Sequence, residues 1–212
     1  MSEESRRREE MAELGGLLAR LGLSHGSTGN ISVRLDDGWL LTPTNSRLGR
    51  LDPARIAKLD VDGRHVDGDT PSKEAFLHRC VYQTRPTARA IVHLHSTHSV
   101  AVSCLDGLDR KDVMPPLTAY YVMRVGKLPL IPYFPPGDQR LAAAVRELAA
   151  NHAAVLLANH GPVVAGKNLE RAAGAIEELE ATAKLFLLLK DRAIRPLTAD
   201  DVDELNRLFP ND

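Results

Sequence analysis

Apolar residues follow a helical period at the start of the chain and then alternate with polar ones, so the predicted element type changes along the sequence. Over residues 3–23 the apolar positions repeat at helical spacing, which predicts an opening helix. Residues 30–35 and 39–42 alternate on either side of the turn signal Asp36-Asp-Gly38. That pattern is typical of a β-hairpin.

Helical and strand patterns continue to alternate through the rest of the chain. Helices are predicted from the Thr70 to Glu74 segment to about Arg85, from Asp138 onward, from Leu169 to Asp191, and after the capping box at Thr198 to Asp201. Strands are predicted over residues 57–61, 90–95, 99–104, 153–158 and 162–165. Interleaved helices and hairpin-joined strands favour an α/β fold with a mixed or mostly antiparallel sheet and helices on both faces. Because no long linker or repeat interrupts residues 1–212, we expect a single domain.

Charge and composition exclude several classes of function. The chain has 27 Lys plus Arg and 28 Asp plus Glu, a near balance that excludes the basic footprint of a nucleic-acid-binding protein. Its apolar runs fall far short of the roughly 20 residues that a bilayer span needs. The charged N-terminal segment has no apolar stretch of a secretory signal, and two cysteines provide no disulfide framework. We therefore expect a protein of the reducing cytoplasm with no membrane partner.

Three histidines have the placement of metal ligands. On a predicted strand, His93 and His95 are two residues apart, so both imidazoles point to one face. His160 follows another strand, in a predicted turn. Three imidazoles with an open position are typical of a catalytic zinc site. Each could instead be an ordinary core or surface histidine. An odd offset on a strand predicts that His98 points away from the ligand face.

A carboxylate and several small polar loops add candidate chemistry. Glu74 lies at the predicted start of a helix, where a carboxylate also stabilises the helix dipole without any catalytic role. Loops around residues 26–30, 42–45 and 71–73 offer hydroxyls and backbone N–H groups to an anion. Any one of these loops is also an ordinary turn, and residues 26–29 do not form a P-loop.

Taken together, five short motifs resemble the class II aldolase/adducin family over about residues 11–190. The motifs are Gly29-Asn30-Ile31-Ser32-Val33-Arg34, Leu41-Thr42-Pro43-Thr44, Pro71-Ser72-x-Glu74, Val92-His93-x-His95 and Asn159-His160-Gly161. The resemblance implies a three-layer αβα fold with a largely antiparallel sheet. It also implies a homotetramer with active sites near the subunit interfaces.

The resemblance also implies roles for individual residues. A divalent metal, usually Zn²⁺, would be held by His93, His95 and His160, and Glu74 would be the acid/base residue that can also touch the metal. Mn²⁺, Co²⁺ or Fe²⁺ would suit the same ligands. The family binds substrate phosphate at the positions of Ser27, Asn30, Thr44 and Ser72. Tyr120 matches a tyrosine that acts as a proton donor from a neighbouring subunit.

The sequence departs from the sugar-phosphate aldolase pattern at two positions of the substrate site. Asn45 replaces a glycine and suits a left-handed turn. Lys73 replaces a serine beside Glu74, where it could hold a second anionic group of the substrate or be a solvated lysine.

Longer segments are similar to the 3-oxo-tetronate 4-phosphate decarboxylase branch, namely residues 71–78, 93–102 and 116–124. This branch implies a carbon–carbon lyase that converts a phosphorylated sugar acid to dihydroxyacetone phosphate and CO₂ through a metal-stabilised enediolate. A sugar-phosphate aldolase, another sister enzyme such as a dehydratase or epimerase, and a non-catalytic adducin-like interaction domain remain the alternatives.

Overall fold

The computed structural model describes residues 1–135 and 137–210. Its helices are α1 (Glu3–Arg20), α2 (Ala75–Thr84), α3 (Thr97–Ser103), α4 (Ala119–Arg124), α5 (Arg140–Ala149), α6 (Leu169–Leu189) and α7 (Ala199–Leu208). Its strands are β1 (Asn30–Arg34), β2 (Gly38–Leu41), β3 (Ala57–Asp60), β4 (His65–Asp67), β5 (Ala90–His93), β6 (Leu130–Ile131), β7 (Ala154–Leu157) and β8 (Gly161–Gly166). Two short 3₁₀ helices, Leu48–Arg50 and Pro53–Arg55, lie between β2 and β3.

The eight strands form one sheet in the order β4-β3-β2-β1-β5-β8-β7-β6. All neighbours pair antiparallel except β6 and β7, which pair parallel. The β1–β2 hairpin closes at Gly38, whose carbonyl accepts a hydrogen bond from the Leu35 amide. The predicted α/β class and the mostly antiparallel sheet are therefore confirmed.

Helices cover both faces of the sheet, and alternate strand residues face each layer. Residues of α1, α3, α4 and α6 pack with Ile31 and Val92 in one apolar core. Residues of α2 and α5 pack with Ile91 and Val163 in the other. This arrangement gives the predicted three layers. Asn30, Ser32 and His93 therefore point toward the α2 layer, since they alternate with residues of the first core.

The prediction of a strand over residues 99–104 is wrong. Residues 99–103 belong to α3, because the buried positions Ser99, Val102 and Ser103 follow helical spacing and α3 packs against α6. A carboxylate of α6, Glu180, accepts hydrogen bonds from the backbone amides of His98 and Ser99. A partner distant in sequence thus caps this helix, and no local signal announces it.

Strand β5 and helix α2 have boundaries that differ from the predicted ones. Strand β5 ends at His93 rather than at residue 95. Helix α2 begins only after Glu74, because Pro71 pairs with Pro43 and the Ser72 amide donates to the Thr42 carbonyl. These contacts hold residues 70–72 extended, so the helix cannot begin there.

The sequence pattern also missed β4, α4 and β6, which are too short to show a clear period. The capping box of α7 is present as predicted, with Thr198 and Asp201 exchanging hydrogen bonds. In residues 1–135 and 137–210, no helix combines the length and the apolar character that crossing a membrane requires.

Candidate active site

The candidate site lies where β1 begins and β5 ends, in the middle of the sheet. Asn30 and His93 are paired across these antiparallel strands. Gly29 precedes Asn30 with a φ of +77°, and a Cβ at Gly29 would lie 2.7 Å from the His93 carbonyl oxygen. Glycine thus lets the two strands approach closely where the polar side chains meet.

The backbone fixes the orientation of the His93 ring. His93 is fully buried, and its Nδ1 lies 2.8 Å from the Pro162 carbonyl oxygen of β8. A carbonyl can only accept, so Nδ1 carries the proton and donates it. Nε2 is therefore left facing the site, which is the ring orientation that a metal-ligating histidine needs.

His95 and His160 bring two further Nε2 atoms to the same point. His160 ends the turn between β7 and β8, in which Asn159 adopts a left-handed φ of 55°. At Gly161, a Cβ would lie 2.2 Å from the Leu94 carbonyl oxygen, so glycine lets this turn press against the segment that carries His95. His93 Nε2 lies 3.2 Å from His95 Nε2 and 3.3 Å from His160 Nε2.

Glu74 completes a cluster of four ligand atoms. Its carboxylate oxygens lie 3.5 Å from His93 Nε2 and 3.3 Å from His160 Nε2. One ligand atom from each of Glu74, His93, His95 and His160 lies within 4.8 Å of all the others. In a tetrahedral zinc shell with bonds of about 2.0 to 2.1 Å, ligand atoms are about 3.3 Å apart. The chemistry and the spacing of this cluster therefore fit a divalent metal.

Electrostatics keep these groups in the protonation states that a metal requires. Burial, together with the neighbouring His93, lowers the pKa of His95 to about 3 and the pKa of His160 to about 4. Burial alone would raise the pKa of Glu74, but His93, His160 and a hydrogen bond from Asn30 outweigh it and bring the pKa to about 2. Near neutral pH, His95 and His160 are thus neutral and Glu74 is ionised, so none of them has to lose a proton to bind a cation.

Asn30 and Ser72 connect the carboxylate to the polar loops. The Asn30 amide group donates to Glu74 Oε2 at 2.6 Å and to Ser72 Oγ at 3.2 Å. The Glu74 backbone amide also donates to Ser72 Oγ, at 3.3 Å. Asn30 and Ser72, both predicted substrate residues, are therefore adjacent to the cluster.

Thr44 and Asn45 lie on a turn that is joined to the Ser72 loop. The Thr44 amide donates to the Thr70 carbonyl, and Pro43 bridges to Pro71. Asn45 has a φ of 56°, so it adopts the left-handed turn for which asparagine was predicted to be suited. Both residues are held beside the start of α2.

Three other predicted site residues are exposed, and none of them is among the four residues of the cluster. Ser27 lies in the turn after α1, Lys73 precedes Glu74, and Tyr120 lies on α4 with 59% of its surface exposed. Within residues 1–135 and 137–210, no hydrogen bond joins any of them to the four-ligand cluster. The Tyr120 ring instead packs beneath the Arg124 guanidinium.

His98 is outside the cluster, as predicted, but for a different reason. It belongs to α3, and its Nδ1 lies 2.8 Å from Glu180 Oε1. Sequence analysis overlooked three polar residues behind the site: Ser32, His78 and Tyr82, all of them buried. Two signals could have indicated them, since Ser32 shares a strand face with Asn30 and His78 lies one helical turn after Glu74.

The chain is similar to known proteins over most of its length. Residues 9–187 match the family described as class II aldolase and adducin N-terminal domain. A 3-oxo-tetronate 4-phosphate decarboxylase from Pectobacterium atrosepticum is 54% identical, over 97% of this chain and 95% of its own. An L-fuculose phosphate aldolase from Escherichia coli is 37% identical, over 80% of this chain and 77% of its own. The crystal structure of YgbL from Escherichia coli superposes with a TM-score of 0.94 at 50% identity, covering 96% of this chain and 99% of that one.

Proposed function

Because the chain belongs to the class II aldolase and adducin family, we propose that it is a carboxy-lyase that converts 3-oxo-tetronate 4-phosphate to dihydroxyacetone phosphate and CO₂. The observation that carries the proposal is the 54% identity to a relative of that name over nearly the whole of both chains. The four-ligand cluster supports it, since the reaction develops negative charge that a cation would stabilise.

His93, His95, His160 and Glu74 would hold the cation, which we propose to be Zn²⁺. A divalent cation held there would supply Lewis-acid stabilisation of the negative charge that develops on the substrate. His93 keeps its Nε2 toward the other ligand atoms because its Nδ1 is anchored to the Pro162 carbonyl.

Ser72, Thr44, Asn30 and Ser27 would bind the phosphate. Ser72 Oγ accepts hydrogen bonds from Asn30 and from the Glu74 amide, so its own hydroxyl proton remains to be donated. Asn45 would shape the turn that presents Thr44. Lys73, exposed beside Glu74, would pair with the carboxylate of the substrate.

Glu74 would handle the proton. Loss of CO₂ breaks the bond between C1 and C2 and leaves an electron pair on C2, so the reaction ends when C2 gains a proton. With a pKa of about 2, the Glu74 carboxylate is ionised before substrate binds, so it must first take up a proton from water and then pass it to C2. The Asn30 amide would hold the carboxylate in place for this transfer.

We further propose a single-domain subunit that forms a cytoplasmic homotetramer. The exposure of Tyr120 supports this part of the proposal, because a side chain on the protein surface can reach the site of a neighbouring subunit. Light scattering of the purified protein tests the oligomeric state, and a monomer at working concentration would contradict it.

The 37% identity to an L-fuculose phosphate aldolase favours a second candidate function, cleavage of a ketose 1-phosphate. Both reactions yield dihydroxyacetone phosphate, so one assay separates them. Zinc-loaded protein is offered 3-oxo-tetronate 4-phosphate and L-fuculose 1-phosphate in parallel, with dihydroxyacetone phosphate and CO₂ as readouts. Equal amounts of both products from the oxo-acid support the decarboxylase, whereas product from the ketose phosphate alone supports the aldolase.

A metal-stripped sample and the variant His160→Ala serve as controls in the same assay. We expect both to lose turnover, and readdition of Zn²⁺ to restore only the stripped wild-type protein. Full activity of the stripped protein would rule out a catalytic cation.

A further inference from the structure

A buried row of polar side chains lies behind Glu74, and the proposed reaction does not use it. Tyr82, Ser32 and His78 are all less than one-tenth exposed, and Ser32 and His78 are fully buried. Tyr82 OH lies 2.8 Å from Ser32 Oγ, which lies 2.7 Å from His78 Nδ1. His78 Nε2 in turn contacts Asn30 Oδ1. The row therefore runs from the α2 core to the Asn30 amide.

The donors and acceptors along this row can be assigned from its Glu74 end. Asn30 Nδ2 lies 2.6 Å from Glu74 Oε2 and 3.2 Å from Ser72 Oγ, so the NH₂ group of Asn30 faces these two oxygens. Asn30 Oδ1 then faces His78 and must accept, so His78 Nε2 carries a proton. Burial lowers the pKa of His78 to about 3, so the ring is neutral and its Nδ1 carries no proton.

The direction of the two remaining hydrogen bonds follows from the unprotonated Nδ1 of His78. Ser32 must donate its single hydroxyl proton to His78 Nδ1, and its oxygen then accepts from Tyr82 OH. Burial raises the pKa of Tyr82, which keeps the phenol a donor. Every hydrogen bond from Tyr82 to Glu74 therefore points the same way.

We propose that Tyr82, Ser32 and His78 form a one-way hydrogen-bond relay that orients the Asn30 amide and, through it, positions both Glu74 and Ser72. The inference rests on the proposed function, in which Glu74 transfers the proton. If the Asn30 amide rotated by half a turn, its oxygen would face the Glu74 carboxylate and its NH₂ group would face His78. The relay prevents this rotation, because the protonated Nε2 of His78 and the rotated NH₂ group of Asn30 would then face each other as two donors. Tyr82, Ser32 and His78 are thus positioning residues and do not touch the substrate.

The tautomer of His78 is the first test, and it does not depend on activity. Long-range ¹H–¹⁵N spectra of zinc-loaded protein with labelled histidine report which ring nitrogen carries the proton, and the His78 signals are identified by their loss in His78→Phe. We expect a neutral ring protonated at Nε2. A ring protonated at Nδ1, or at both nitrogens, would overturn the relay. Should His78→Phe not fold, the shift of the same signals in Ser32→Ala identifies them.

Kinetics of conservative variants provide the second test. Tyr82→Phe removes one hydroxyl and keeps the ring that packs on Trp39, so we expect kcat to fall about tenfold. Tyr121→Phe is the matched control, because the Tyr121 hydroxyl is buried and has no hydrogen-bond partner in the described part of the chain. Equal kcat values for the two variants would contradict the proposal.

A double variant distinguishes a relay from independent packing effects. Without the Ser32 hydroxyl, Tyr82 OH has nothing to orient, so Ser32→Ala combined with Tyr82→Phe should be no slower than Ser32→Ala alone. If the kcat of the double variant instead falls by the product of the two single losses, the relay is overturned. If wild-type protein turns over neither sugar substrate, the proposed function fails, whereas the tautomer still decides the direction of the relay.

Discussion

The carboxylate of Glu74 lies between three imidazoles on one side and a neutral amide on the other. His93, the Asn30 hydrogen bond and His160 hold the pKa of Glu74 at about 2 against the opposing effect of burial. The carboxylate is therefore ionised near neutral pH, and in the proposed reaction it would serve first as a cation ligand and then as a proton carrier.

At this residue, Glu74→Gln separates the two roles. Glutamine keeps the shape and still accepts from Asn30, but it cannot carry a transferable proton. We expect zinc content to stay near that of wild-type protein, because three imidazoles remain, and kcat to fall about a hundredfold or more. Metal analysis and steady-state assay of one preparation check both halves, and a kcat near the wild-type value would remove Glu74 from the proton transfer.

A second prediction concerns the neighbouring lysine. If Lys73 pairs with the substrate carboxylate, Lys73→Ser should raise KM for 3-oxo-tetronate 4-phosphate by about tenfold. KM for a ketose phosphate should change much less, since that substrate lacks the carboxylate. Lys127→Ser, another exposed lysine, is the control. Equal shifts with both substrates would argue against the pairing.

At the scale of elements, the site depends on where helices begin. Helix α2 begins after Glu74 because its preceding residues pair with the turn at Pro43, which leaves Ser72 free of the helix and beside Asn30. Helix α3 exists where alternation predicts a strand, because Glu180 of α6 accepts from its first amides and from the Ser99 hydroxyl.

The cap on α3 yields a stability prediction. Glu180→Gln replaces one accepting oxygen by a donor and leaves buried donors of α3 unpaired, so we expect a loss of about 1 to 3 kcal/mol of unfolding free energy. Glu177→Gln makes the same change on α6 at a residue whose side chain has no hydrogen bond or ion pair in the described part of the chain. Urea denaturation compares the two variants, and equal stability would show that the cap contributes nothing.

At the scale of the whole molecule, the packing of α2 on the sheet buries the polar row of Tyr82, Ser32 and His78. His78 is fully buried and neutral, with a pKa that burial lowers to about 3 from an ordinary value of 6.5. The unfolded chain takes up this proton as pH falls below about 6.5, whereas the folded chain does not. The stability from this group is present above that pH and is lost progressively toward about pH 3.

We therefore expect the stability difference between wild-type protein and His78→Phe to depend on pH. The wild-type advantage should shrink by about 1.4 kcal/mol between about pH 7.5 and about pH 5.5, because only the wild-type unfolded state binds the extra proton. Urea denaturation of metal-free samples at both pH values measures it. A difference that is constant or grows on acidification would mean that His78 is protonated in the folded protein.

Local sequence was enough to predict much of the secondary structure of this protein and its candidate ligands. Periodicity and turn residues were enough for α1, the β1–β2 hairpin and α6, since each has a long apolar face or a glycine-marked turn. Motif spacing singled out His93, His95 and His160 as candidate ligands, and the resemblance to a family assigned Glu74 its role beside them. The resemblance to a family then supplied the order of the layers.

Only the tertiary structure decided which side chains meet. The late start of α2, the helical state of residues 97–103 and the row from Tyr82 to Asn30 all depend on partners more than 25 residues away along the chain. Such contacts leave no local period, because the energy of a buried hydrogen bond depends on the partner that the fold brings to it. Motif spacing and the family resemblance therefore indicated the candidate ligands, and the fold showed which polar side chains lie behind them.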